Sequence, residues 1–296
     1  MGDWKAPVLA GVLLGAASLA QAADLAPPAA APVPAPTEFS GWYLRGDLGI
    51  STQLSDISIT VSPNPLAGLP ADAFHSFYNP TISAGGVADI GLGYQVNNWL
   101  RFDATAEYRG GSQFQALEQI GIPSQSSQFA NWYRANISSY LAMANGYVDL
   151  GTWYGVTPFV GAGLGLAQNH FYGIANNGFA YVGPGSTGSP AGGYMSNGVA
   201  NNLAWALMGG LDYNVSPNLK LELGYRYLDY GTLKTGPSHC FNGTGAGGGF
   251  SIVNCGGAAF VGQTNRLASQ DFRLGLRWLF SDAPTYASAG PIAARY

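Results

Sequence analysis

The hydrophobic run at 271–280 constrains the fold more than any other stretch of the sequence. It reads Asp-Phe-Arg-Leu-Gly-Leu-Arg-Trp-Leu-Phe, so that apolar side chains alternate with Asp271, Arg273 and Arg277. Successive side chains of a β-strand point to opposite faces, so this segment predicts a strand with one apolar and one charged face. A soluble sandwich strand buries its apolar face in a core, whereas a transmembrane barrel strand turns that face toward lipid. Alternation alone fits both arrangements, and the rest of the chain has to decide between them.

Seven further segments alternate in the same way, and the links between them differ in length. The eight predicted strands are 42–50, 87–96, 99–109, 139–150, 158–167, 201–213, 219–230 and 271–280. A tilted membrane strand needs about 9–11 residues, which these segments match. Three short links (97–98, 151–157 and 214–218) alternate with four long ones, as in outer-membrane barrels with short periplasmic turns and long external loops. The sequence therefore predicts an all-β fold, an eight-stranded antiparallel transmembrane β-barrel with both ends on the periplasmic side.

The placement of charge favours the membrane barrel. The apolar stripes carry almost no charge and have Trp and Tyr near the strand ends, as aromatic girdles do. The opposite faces carry seven basic and eight acidic residues, which we predict to form a charge network in the lumen: Arg45, Asp47, Asp89, Arg101, Asp103, Glu107, Arg109, Asp149, Asp212, Lys220, Glu222, Arg226, Asp271, Arg273 and Arg277. An eight-stranded barrel is only wide enough for side chains to fill, so we expect a polar core rather than a wide channel.

Composition and the N-terminus indicate an exported protein. Charged residues make up only 9% of the chain and the net charge is −4, which excludes the basic surface that nucleic-acid binding needs. Lys5, the apolar run 8–19 and Ala20-Gln21-Ala22 predict a signal peptide at 1–22; the apolar run is too short for a membrane helix. We predict a Pro/Ala-rich linker at 23–39, the barrel at 40–280 and a C-terminal tail at 281–296, with export to the outer membrane of a Gram-negative cell.

The remaining motifs predict a disulfide, and none of them predicts a catalytic, metal or cofactor site. Cys240 and Cys255 lie in the last long loop of an exported chain, which predicts a disulfide; closing a loop of this length contributes about 3 kcal/mol in the chain-entropy model. A metal or redox pair is the alternative, but the C-x-x-C spacing is absent. Aromatic neighbours of His75 and His170 raise the alternative of haem ligation, although solvated loop residues are the simpler interpretation. The G-x-G-x-x-G matches at 183–188 and 243–248 do not lead a strand into a helix. We expect no catalytic residue, no metal and no cofactor.

Three stretches carry a family resemblance. They are the entry segment 40–49 (SGWYLRGDLG), the strand 223–230 (LGYRYLDY) and the closing segment 272–280 (FRLGLRWLF). Over 40–280 the chain resembles small bacterial outer-membrane barrels of the opacity-protein and OmpA-like kind, the "porin family" surface antigens of rhizobia-like bacteria. The resemblance implies outer-membrane lipid and the barrel assembly machinery as partners, with Phe280 as the terminal aromatic signal for assembly. Here 281–296 follow Phe280, which departs from the family pattern.

These observations predict a non-enzymatic protein with a structural and surface-display role. Its external loops would contact the environment or a host ligand, and no nucleic acid is expected among its partners. A passive porin-type channel is the alternative and would need a wider lumen. Surface haem binding remains a further hypothesis. A lipid-modifying enzyme would need a His/Ser/acid cluster at the outer leaflet, for which His170 is the nearest candidate.

Overall fold

The structure is a computed structural model, and it describes residues 40–243, 250–253 and 259–280, with only the backbone described at 241–243 and 250–253. The predicted signal peptide, linker and C-terminal tail lie outside these residues. The described residues form one short 3₁₀-helix, Pro123–Gln125, and fourteen strands: β1 (Gly41–Gln53), β2 (Ile59–Ser62), β3 (Phe74–Ile82), β4 (Gly85–Gln95), β5 (Leu100–Ile122), β6 (Ser127–Asp149), β7 (Val156–Tyr181), β8 (Ser189–Met195), β9 (Gly198–Asn214), β10 (Leu219–Gly231), β11 (Ser238–Gly243), β12 (Phe250–Val253), β13 (Val261–Thr264) and β14 (Leu267–Leu279). Among them, no helix is long and apolar enough to cross a membrane.

Eight of these strands close into a ring of antiparallel pairs. The order around the ring is β1, β4, β5, β6, β7, β9, β10 and β14, and β14 pairs back onto β1. Each ring strand overlaps one of the eight segments predicted from alternation. The eight-stranded antiparallel barrel is therefore confirmed.

The short links lie at one end of the ring, which we call the turn end. They are residues 96–99, 150–155 and 215–218. In the first, the Asn97 Oδ1 accepts hydrogen bonds from the backbone N–H groups of Trp99 and Leu100, at 3.0 and 2.8 Å, and so fixes the turn. The backbone N–H of Phe280 donates to the carbonyl of Trp42 at 2.9 Å, so both ends of the strand series lie at the turn end.

The opposite end, which we call the loop end, differs from the prediction. Most of 110–136 and of 168–181 was predicted to be loop, yet β5, β6 and β7 continue there and reach 23, 23 and 26 residues. Gly111 (φ +79°) and Gly173 (φ +62°) lie at register shifts, where an L-residue would be strained. An extra residue at a bulge exchanges the faces of the strand, so the side chains that point inward have odd numbers before Gly111 and even numbers after it.

The extended parts of these strands continue the same sheet beyond the barrel, and we call this part the outer sheet. Its order is β3, β5, β6, β7, β8, β11 and β12. A separate ribbon of β2 and β13 accompanies it, and its β13 strand is hydrogen-bonded to Thr235, which precedes β11. At about 3.3 Å per residue, the eleven residues of β5 after Gly111 span roughly 35 Å along the strand.

The barrel surface inverts the arrangement of a soluble protein. Its exposed outer face is apolar, as Leu164 (71% exposed), Leu203 (73%) and Leu48 (69%) illustrate. Aromatic side chains flank this belt at the turn end (Trp42, Tyr94, Trp99, Phe102, Tyr213, Trp278) and at the loop end (Tyr108, Tyr140, Trp205, Tyr225, Phe272). Two pairs of these rings meet edge to face across strands, Trp42 with Tyr94 at 5.3 Å and Tyr225 with Phe272 at 5.4 Å. An apolar belt between two aromatic girdles is the lipid-facing surface of an outer-membrane barrel.

Candidate functional site

The charged side chains of the predicted network point into the barrel. Fourteen of the fifteen are buried, and Lys220, at the turn end, is half-buried. Arg101, Arg277, Asp212 and Asp271 are 0% exposed. Buried charges of this kind are tolerated only when they are paired and hydrogen-bonded, so the contacts between them decide what the lumen is.

At the turn end, Arg101 is surrounded by carboxylates. Its Nε donates to Asp149 at 3.1 Å, and its terminal nitrogens lie 3.5 Å from Glu222 and 3.7 Å from Asp212. Arg277 pairs with the same Asp212. This layer of the lumen therefore holds two arginines and three carboxylates, and Asp212 contacts both arginines.

Two tyrosine rings fill the space beside this layer. The Arg101 guanidinium lies 4.2 Å from the centre of the Tyr147 ring, within the range of a cation–π contact. The wall opposite each ring is a glycine, Gly161 against Tyr147 and Gly93 against Tyr43, and a Cβ at either position would overlap the ring. These glycines allow aromatic side chains to fill the narrow bore.

Arg45 is the centre of the middle layer. Its guanidinium donates to the carboxylates of Asp47 at 2.7 Å, Glu222 at 2.8 Å and Asp103 at 3.0 Å. It also donates to the Tyr147 hydroxyl at 2.8 Å. All of these partners are buried, so this one cation compensates charge on three different strands of the barrel.

Two arginines share two carboxylates in the layer nearest the loop end. Arg109 lies 3.0 Å from Glu107 and 2.9 Å from Asp271, and Arg226 lies 2.7 Å from each of the same carboxylates. Arg109 also donates to the Ser51 hydroxyl. This arrangement satisfies both signs of charge within one layer.

Arg273 connects the middle layer to the layer near the loop end. It pairs with Asp89 and lies 3.3 Å from Asp47 and 3.8 Å from Glu107. Ion pairs thus follow one another from the turn end toward the loop end without a break. The lumen is a polar core.

An apolar cluster covers this core at the loop end. It includes Phe114, Ile137, Phe171, Leu228 and Leu267, all at most 5% exposed, and the Phe114 and Phe171 rings meet edge to face at 5.5 Å. Between this cluster and Arg109 lies a cavity of about 20 Å³, room for about one water molecule. Charged and apolar side chains therefore fill the bore in succession.

A much larger cleft lies beyond the barrel, between the outer sheet and the segment 61–69. Its volume is about 590 Å³, within the range of small-molecule sites. Apolar and aromatic side chains form most of its wall, among them Ile120, Phe129, Tyr194 and Phe260. Glu118 is the one charged side chain among the described residues that line it.

Glu118 is held by three donors. The carboxylate is 7% exposed and lies 2.8 Å from His75 Nε2, 3.0 Å from the Tyr133 hydroxyl and 3.1 Å from Asn131 Nδ2. Burial, and then the neighbouring Glu118 charge, raises the pKa of the Tyr133 phenol well above its usual value, so Tyr133 stays a neutral donor. Beside it, Asn176 is 7% exposed, and its Oδ1 is buried without a hydrogen-bond partner among the described residues.

Sequence reasoning missed this cleft because it assigned 110–136 to a loop. The signal was present after the bulge: Phe114, Ala116, Ile120 and Ile122 recur at every second position, interrupted only by Glu118. A charged residue within an apolar strand face is unusual and indicates a candidate binding site.

The three histidines have separate surroundings. His75 contacts Glu118, His170 packs against Tyr140 in the loop-end girdle at 5.7 Å, and His239 stacks on Tyr194 at 4.7 Å in the cleft wall. Within the described ranges, no group of three His, Cys, Asp or Glu side chains is placed to hold a metal. The motif 183–188 connects β7 to β8.

Two other predicted residues lie at the edges of the described chain. Phe280 follows β14 and is 57% exposed, beside the turn-end girdle; its role as an assembly signal stays a prediction. Cys240, in β11, is disulfide-bonded, whereas Cys255 lies outside the described residues, so the predicted pairing of the two stays a prediction.

Comparison with known proteins agrees with the fold and the surface. The family model for the outer membrane protein beta-barrel domain matches residues 9–278. The chain belongs to this family, which confirms the resemblance to small outer-membrane barrels and makes it a protein of the Gram-negative outer membrane.

The relatives carry no assigned activity. An uncharacterized protein of Brucella suis biovar 1 (strain 1330) is 33% identical over 233 residues, and one of Brucella abortus (strain 2308) is 31% identical over 230 residues; each match covers 73% of this chain and 78% of the relative. Among solved structures, Neisserial surface protein A has 18% identity and a TM-score of 0.40, covering 82% of this chain and 100% of that one. The outer membrane protein OprG from Pseudomonas aeruginosa has 11% identity and a TM-score of 0.43, covering 81% and 96%.

Proposed function

We propose that this protein is a non-conducting, non-enzymatic anchor that displays the outer sheet at the cell surface. The observation that carries the proposal is the filled bore, in which Arg101, Arg277, Asp212 and Asp271 are 0% exposed and an apolar cluster lies above them. A solvated ion needs a continuous aqueous path, which these packed side chains occupy. Export by the signal peptide and recognition of Phe280 by the assembly machinery belong to the same proposal.

The length of β5, β6 and β7 supports the display role. A barrel that only spans the membrane needs strands of about 9–11 residues, and these three strands have more than twice that length. The additional residues form the outer sheet, whose surface and cleft are available to ligands in the environment or on a host.

We expect the folded mature protein to be electrically silent in a planar lipid bilayer, or to show rare and small flickers. The reason is that passage of an ion would require several buried ion pairs to separate together. Single-channel recording measures this directly, with folding checked beforehand by heat-modifiable mobility on a gel. Steady ohmic openings would instead support the passive-channel function and would overturn the anchor.

We expect a short epitope inserted after Ser124 to be labelled by antibody on intact cells. Ser124 lies in the tip between β5 and β6, at the far end of the outer sheet, and its environment is exposed. The matched control is the same epitope inserted after Asn97 in a short turn, which should be labelled only after the outer membrane is permeabilised. Labelling of the Asn97 variant on intact cells, with none of the Ser124 variant, would reverse the assigned orientation.

A further inference from the structure

The cleft beyond the barrel presents hydrogen-bond acceptors that the fold does not fully use. The Glu118 carboxylate accepts from His75, Asn131 and Tyr133, and its two oxygens together have about four lone-pair positions. The Asn176 Oδ1 is buried and has no donor among the described residues. A buried acceptor without a donor costs free energy, and a ligand that carries a donor removes that cost.

Glu118 is the one carboxylate among the described residues that line the cleft. Within the described chain, the only salt-bridge partner of Glu118 is His75, and neither lysine nor arginine is found among the lining residues. Arg134 follows Tyr133 on β6 but does not line the cleft. Its side chain is exposed, whereas its neighbours Tyr133 and Ala135 are buried, so Arg134 points to the opposite face of the strand. The charge complementary to the Glu118 carboxylate is therefore that of a cation.

Aromatic rings form part of the cleft wall. Phe129, Tyr133, Tyr194 and Phe260 line the cleft, and His239 stacks on Tyr194 and so fixes its ring. The faces of aromatic rings carry partial negative charge and stabilise organic cations. A carboxylate, a free amide oxygen and several aromatic rings together favour one kind of ligand.

We propose that this cleft binds a small organic cation, a protonated amine attached to an apolar body. The ammonium group donates to Glu118 and to the Asn176 Oδ1, while the apolar body packs against Ile120, Phe129 and Tyr194. A volume of about 590 Å³ accommodates a molecule with one or two rings and a short alkyl chain. The inference goes beyond the anchor role, and its binding assay is independent of whether the barrel conducts.

The test uses the full mature chain folded in phosphatidylcholine nanodiscs. The probe is dansylcadaverine, which joins a primary alkylamine to an apolar fluorescent body, and the paired probe is its N-acetylated form, which lacks the positive charge. We expect the blue shift of dansyl emission to give a dissociation constant at least about tenfold lower for the amine, because charge-assisted hydrogen bonds are lost on acetylation. Titration of protein-free nanodiscs corrects for partition into lipid.

Variants assign the preference to the cleft. Glu118→Gln should remove the preference for the amine and leave the affinity for the acetylated probe unchanged. The matched control is Asp72→Asn, which removes an exposed carboxylate bonded to Ser124 outside the cleft lining and should leave both affinities unchanged. Equal affinities of the wild-type protein for the two probes would overturn the proposal, whether or not the Glu118→Gln variant folds. An equal loss of amine binding in Asp72→Asn would also overturn it, because surface charge alone would then explain the binding.

Discussion

Arg45→Met is expected to lower the free energy of unfolding by about 3–5 kcal/mol, because it removes the common partner of three buried carboxylates. Methionine keeps most of the apolar stem, so the loss reports mainly the missing charge. Asp47, Glu222 and Asp103 would stay in the lumen with only part of their compensation. Urea unfolding of the protein in phosphatidylcholine vesicles, followed by tryptophan fluorescence, measures the change.

Arg266→Met is the matched control for this variant. Arg266 lies 2.6 Å from Asp229, as close as any pair of Arg45, but its side chain is 50% exposed. Exposed ion pairs contribute about 0–1 kcal/mol, because water already stabilises both charges. Losses of equal size in the two variants would contradict the distinction between a dry lumen and a wet surface. The lumen would then have to be solvated rather than filled by packed side chains.

Along each ring strand, the sequence pattern is enough to say which side chains share a face. Side chains alternate strictly along a strand, so one apolar stripe per segment identifies both faces without any tertiary information. The run 271–280 is an example: Arg273 and Arg277 are buried and Leu274 and Leu276 are exposed, as the alternation requires. Closure of eight such segments into a ring followed from their number and from the lengths of the links.

The partners of the lumen charges could not be predicted in the same way. Arg45 and Glu222 are 177 residues apart, and they meet because they project from different strands of a closed and tilted barrel. The stagger of all eight strands decides which residues lie at the same height in the lumen, and no local sequence pattern predicts that stagger. The sequence could therefore identify the members of the network but not its pairs.

The outer sheet and its cleft were missed for a different physical reason. The bulge at Gly111 inserts an extra residue, so the inward-facing positions of β5 change from odd to even numbers. Its apolar residues keep even numbers, so they face outward before the bulge and inward after it, and the alternation alone does not show this exchange of faces. Two short strands, β3 and β8, then provide partners for the extended edges. The contact of His75 with Glu118 follows from the pairing of β3 with β5, which the sequence between them does not reveal.

Leu274→Arg is expected to lower the free energy of unfolding by about 2–4 kcal/mol in vesicles, the cost of an arginine at the bilayer midplane. Leu274 lies in the middle of β14, opposite Leu48 on one side and Leu223 on the other, and all three are more than half exposed. The neighbouring Arg273 is native and pairs with Asp89 inside the barrel. The native Arg273 has a carboxylate partner inside the barrel, whereas an arginine at the adjacent position 274 would face hydrocarbon without a partner.

Leu150→Arg is the control that makes the Leu274→Arg result specific to depth. Leu150 is 51% exposed and lies in a short link at the turn end, where an arginine can extend toward the lipid headgroups and water. We expect a loss of about 0–1 kcal/mol there, measured by the same urea titration. If the exposed apolar belt faced water instead of lipid, both substitutions would be ordinary surface changes, within about 0.5 kcal/mol of the wild type. A large loss at Leu274 beside a small one at Leu150 distinguishes a membrane belt from a soluble surface, because only a bilayer makes the cost of the same side chain depend on its height along the barrel.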